Sequence, residues 1–109
     1  MEEYKVPLRD ISGDIIDYAF VSKEDYDKVM ARKWCKQVVK HSKSGLCYAL
    51  SNKSGDTIRM HQLVMGKAPE GMVIDHINNN GLDNRRENLR IRARENNGFI
   101  FILFPLNVI

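Results

Sequence analysis

An aspartate and a histidine stand side by side at Asp75 and His76, directly after the apolar residues 72–74. A carboxylate is a hard oxygen ligand for a divalent cation and an imidazole exchanges a proton near neutral pH. The pair therefore puts a metal ligand and a proton acceptor on one short stretch of backbone. On its own such a pair more often marks a surface turn than a site. Two further amides give it company: Asn88 lies twelve residues after His76, and Asn97 nine residues after Asn88. Asn96 competes with Asn97, because a step of one residue turns a helical side chain by about 100°. Asn84 and Asn88 also suit turn-capping positions, and residues 78–81 read as a loop.

The elements that must position these groups can be read from periodicity. Residues 72–74 are strand-like and deliver Asp75 and His76 at the strand end. Residues 89–93 make a second strand, and a helix from Arg94 would carry Asn96 and Asn97 back towards Asp75. Upstream, residues 4–8 and 15–21 predict a hairpin turning at Gly13. Ser22 and Asp25 have capping-box spacing, and Tyr26, Val29, Met30 and Trp34 recur at helical spacing, which predicts a helix over 23–33. Residues 34–40, 46–50 and 57–60 predict three strands separated by turn-rich runs, followed by a short helix over 60–65 that Gly66 ends. The expected class is α+β: a small antiparallel β-meander with short helices, and a ββα unit at residues 72–97.

The chain has 109 residues, 43% hydrophobic and 28% charged, which fits one soluble globular domain and excludes a multi-domain machine. Its net charge of +3 is unevenly laid out: residues 1–27 carry −5, residues 28–67 carry +8 and the remainder is neutral. A basic block of this kind suits either a solvated surface or a face on which a polyanion lies. Arg85, Arg86, Arg90, Arg92 and Arg94 add candidate phosphate contacts. Alternation along a strand would put Arg90, Arg92 and Arg94 on one face. The expected organisation is a β-rich basic platform over 1–67, the chemical unit over 68–97 and an apolar tail over 98–109.

Cys35 and Cys47 are eleven residues apart in the intervening sequence, which fits neither a zinc knuckle nor a redox motif, so both read as reduced thiols. A zinc site joining them to His41 fits no common spacing. The acidic start is not a signal peptide, and FIFILFPLNVI is too short to span a bilayer, so a cytoplasmic protein without membrane attachment is expected. That tail is either buried on the domain or the scar of a truncated or shifted reading frame.

The stretch MHQLVMGKAPEGMVIDHINNNGLDNRRENLRIRARENN, with VSKEDYDKVMARKWC before it, resembles the HNH homing endonucleases of phages and mobile introns. The likeness covers roughly residues 15–97, and its DH…DNRRENLR block is specific. It implies a ββα-metal fold and hydrolysis of phosphodiester bonds in double-stranded DNA. His76 would be the general base, oriented by a hydrogen bond from Asn88. Asp75 and Asn97 would hold one magnesium or manganese ion, and no small-molecule cofactor is implied. Oligomeric state, target sequence and the number of strands cut stay open. His61 reads as a packed or supporting histidine.

The sequence departs from this family after Asn97, where members usually carry a DNA-recognition module and this chain has only Gly98 and the apolar run. It thus reads as C-terminally truncated, with Gly98 weakening the helix meant to carry Asn97. A catalytically degenerate DNA-binding remnant is the alternative to an active nuclease. An RNA-binding protein is a third reading, but no aromatic stacking platform supports it.

Overall fold

A computed structural model of the protein describes residues 4–39 and 45–94. His41, Asn96, Asn97, the helix expected after Arg94 and the apolar tail lie outside the described residues. Within them the fold is α+β, with eight strands in three small sheets and two short helices.

The first sheet begins with the expected hairpin. Strands β1 (Tyr4–Arg9) and β2 (Ile15–Val21) pair antiparallel, with a register shift at Leu8/Arg9. Alternation sends Val6, Leu8, Ala19 and Val21 into the core. Helix α1 (Lys23–Met30) is shorter than predicted. Its last turn tightens as Arg32 N–H bonds to Val29 O, and Trp34 folds back beyond the helix to donate its indole N–H to the same carbonyl at 2.8 Å. Of the apolar stripe, Val29 is buried and Met30 faces outwards.

The second sheet is the predicted meander: β3 (Cys35–Val38), β4 (Cys47–Lys53) and β5 (Asp56–Arg59), antiparallel in that order. It leads directly into α2 (Met60–Met65), which Gly66 ends at φ +80° while its N–H caps Gln62 O at 2.8 Å. Met60 and Val64 join the core from this helix.

The third sheet is an antiparallel pair, β6 (Met72–His76) and β8 (Leu89–Ala93), in which Asp75 faces Arg90 and His76 faces Leu89. The connection between them is more ordered than a loop. It contains β7 (Asp83–Asn84), which runs parallel to β2 with Val21 opposite Asn84, and then a single 3-10 turn, Arg86–Asn88. Phe20 N–H also reaches Leu82 O at 2.8 Å. The polar run after His76 is thereby stitched onto the N-terminal hairpin. Gly81 makes a second close approach, because a Cβ there would lie 1.9 Å from the carbonyl oxygen of Cys47.

Ser22 and Asp25 do not form a capping box. Ser22 makes no side-chain cap, and its hydroxyl instead accepts the backbone N–H of Arg86 at 3.0 Å. Asp25 is 1% exposed and takes the Arg86 guanidinium through two bonds of 2.9 and 2.8 Å. A buried carboxylate needs such a partner, and the long-range arginine satisfies both oxygens where a backbone N–H would satisfy one.

Candidate functional site

Strand alternation separates the two residues that stand adjacent in sequence. Along β6, Met72, Ile74 and His76 share one face and Val73 and Asp75 the other. His76 turns inwards and is 5% exposed. Its ring meets His61 from α2 edge-on at 5.0 Å between centroids, and the Tyr48 ring from β4 lies 5.8 Å away. Burial, then the neighbouring His76, then Arg59 hold the His61 imidazole down at about 4, so it is neutral at cellular pH. His61 is therefore the packed histidine the sequence suggested.

The partner of the His76 ring is Asn84, not Asn88. His76 Nε2 and Asn84 Oδ1 are 2.7 Å apart, both buried. Asn88 commits its side chain to the loop instead. Its Oδ1 accepts the Asn78 N–H at 3.1 Å, and its Nδ2 donates to Asn78 Oδ1 at 2.8 Å and to Asp83 O at 2.9 Å. Its own carbonyl accepts the Ile77 N–H. Asn88 thus fixes the backbone that follows His76 rather than the imidazole. Residue type alone does not rank these amides, since Asn78, Asn84 and Asn88 sit in one polar run, and the pairing of β7 with β2 is what places Asn84 inside.

On the opposite face Asp75 is met by two guanidinium groups. Arg90 contacts its Oδ2 through Nη2 at 2.9 Å and Nε at 3.1 Å, and Arg92 contacts the same oxygen through Nε at 3.2 Å. The strand alternation of Arg90 and Arg92 is as predicted, but their charge is directed at Asp75. Arg85 is likewise turned onto Asp83, with two contacts of 2.7 Å that hold this carboxyl below its usual range, and Arg86 braces Asp25. Of the five candidate phosphate-binding arginines, Arg94 differs: it is exposed and has no carboxylate partner among the described residues. It lines an open cleft of about 390 Å³ with Arg59, Lys67, Tyr48 and His61, and no carboxylate is among the lining residues. The Arg59 guanidinium lies over the Tyr48 ring, 4.8 Å from its centroid.

The donor set has a mixed fit to a metal ion. Asp75 supplies a hard carboxylate that is partly accessible, with Oδ2 engaged by arginine and no hydrogen bond to Oδ1 among the described contacts. Among the described residues no group of three His, Cys, Asp or Glu side chains could hold a metal. A magnesium or manganese site here would rest on Asp75, a second ligand outside the described residues and water, a sparse set that magnesium commonly accepts. Nor, among the described residues, is any helix long and apolar enough to cross a membrane.

No curated protein and no solved structure matches the chain. The stretch running from the end of the meander through α2, β6, β7 and β8 is another matter. It is matched by the family model described as HNH endonuclease, over residues 58–99, so this part of the chain is similar to that family.

Proposed function

We propose that this protein is a metal-dependent endonuclease of the homing type that nicks or cuts double-stranded DNA, with a ββα-metal site built on β6 and β8. The observation that carries this reading is a buried, hydrogen-bonded imidazole at the end of β6, beside a carboxylate on the other face, within the matched HNH segment. His76 takes the proton of a water molecule, the resulting hydroxide attacks phosphorus, and the bond to the 3′ oxygen breaks as that oxygen gains a proton from solvent. A magnesium or manganese ion held by Asp75 and Asn97 would supply charge neutralisation at the phosphate and the leaving oxygen. Asn88 keeps the loop after His76 in place. Arg94, with Arg59 and Lys67, offers phosphate contacts beside the site, whereas Arg85, Arg86, Arg90 and Arg92 engage DNA only by leaving their carboxylates.

The engagement of Asp75 by two arginines and the burial of His76 favour a second reading, a DNA-binding remnant that no longer cuts. Supercoiled plasmid incubated with the protein and magnesium, manganese or chelator separates the two. Cation-dependent nicking that His76→Ala abolishes supports the nuclease. A gel shift of duplex DNA with no nicking under any cation refutes it.

A further inference from the structure

The geometry assigns to Asn84 the part of a positioning residue, whose side-chain carbonyl fixes the proton of the His76 imidazole on Nε2 and leaves the Nδ1 lone pair to accept a proton. This rests on the reading of His76 as the general base and names the group that prepares it.

Asn84 is fully buried, and its backbone is held in β7 opposite Val21, so its amide has little freedom to turn away from the ring. The 2.7 Å separation between Oδ1 and Nε2 is a short hydrogen bond, with the carbonyl as acceptor and the ring N–H as donor. A neutral imidazole carries one proton, so a hydrogen on Nε2 leaves Nδ1 bare. When His76 takes a proton at Nδ1, Nε2–H still points at the same carbonyl, and the bond made in the resting ring persists in the imidazolium. The reversed amide would have the opposite effect: its N–H would require the lone pair on Nε2, put the ring proton on Nδ1, and face a second N–H once the ring became charged.

A further observation concerns the other end of the same side chain. Asn84 Nδ2 is buried with no hydrogen-bond partner among the described residues. An unpaired buried donor costs stability and calls for a reason. A leucine of similar size would avoid that cost, but it would offer nothing to Nε2. The residue at 84 is thus the one expected where an acceptor for the imidazole matters more than a satisfied amide. Asn88 is no substitute, since both ends of its side chain are spent on Asn78 and Asp83. His61 and Tyr48 bound the ring by packing, which restricts its tilt but does not choose its tautomer.

The test reads the ring directly. In the metal-free, ¹⁵N-labelled full-length protein, long-range proton–nitrogen correlation should show the His76 ring, assigned by its loss in His76→Gln, with a protonated Nε2 and a bare Nδ1. Asn84→Leu should turn this signature into a mixture of tautomers, and Asn84→Asp, which keeps an acceptor, should preserve it. In cleavage assays Asn84→Leu should lower kcat about 10–100-fold at unchanged KM for DNA, with partial recovery in Asn84→Asp. A wild-type ring protonated on Nδ1 overturns the inference, as does a ring signature unaltered in a folded Asn84→Leu protein. If that variant does not fold, the wild-type tautomer and Asn84→Asp decide. Cleavage surviving in His76→Ala would refute the base reading, a result separate from the tautomer measurement.

Discussion

The two faces of β6 are built on opposite electrostatic plans. On the His76 face the neighbours among the described residues are an amide, a neutral histidine and a tyrosine, and the imidazole is held by a hydrogen bond and ring packing. On the Asp75 face the neighbours are two guanidinium groups, and the carboxylate is held by charge at the solvent edge. The difference follows from strand alternation: two residues adjacent in sequence meet different surroundings, an amide and two rings on one face and two guanidinium groups on the other. A cation reaching Asp75 would therefore have to compete with Arg90 and Arg92 for Oδ2.

The largest effect should come from the charged face. Asp75→Ala is expected to weaken binding of manganese by more than about 100-fold, read by titration with paramagnetic detection. The same variant should bind duplex DNA more tightly without cation and with a steeper salt dependence, because Arg90 and Arg92 lose their counter-charge. If DNA affinity falls instead, the arginines are not held in reserve by Asp75.

The inner face should show itself in stability. His61 has its folded value lowered from 6.5 to about 4, so below pH 6.5 the unfolded chain binds a proton that the folded protein refuses. Its contribution is fully present above about pH 6.5 and is lost as the pH falls towards 4, a total of about 3 kcal/mol. Denaturant unfolding across this range should reveal the slope, and His61→Phe should flatten it. An equal slope in the variant would mean that another group is responsible.

Gly81→Ala tests whether the loop that carries β7 is seated as tightly as its contact with Cys47 indicates. The substitution should cost about 1–3 kcal/mol by thermal unfolding, through overpacking against backbone. The smallest effect belongs to Arg92→Gln, which removes the single Nε contact to Asp75 at 3.2 Å. Cation affinity should rise only a few-fold, as expected for a partly exposed ion pair. No rise at all would indicate that Arg90 alone governs access to Asp75.

Much of the local architecture was legible from the chain. Runs of β-favouring and apolar residues located β1, β2, β6 and β8, the position of Gly66 ended α2, and the turn-rich runs divided the meander. What escaped were contacts between distant segments. Nothing around Ser22 and Asp25 signals a partner at Arg86, sixty-one residues beyond Asp25, and their capping-box spacing suggested a local role instead. Likewise β7 is two residues long, too short for any periodicity, so the polar run that contains it looked like an open loop.

The sequence by itself determined which chemistry is present: a carboxylate and an imidazole at a strand end, followed by amides and arginines, in the stretch that the HNH endonuclease family model matches. Residue types are enough for that, because proton affinity and ligand hardness belong to the side chains. Only the tertiary structure decided which amide meets His76 and which arginines are occupied, since hydrogen bonds and ion pairs depend on ångström distances between separate elements. The parallel pairing of β2 with β7 brings Asn84 to the ring, and the register of β6 with β8 brings Arg90 and Arg92 to Asp75.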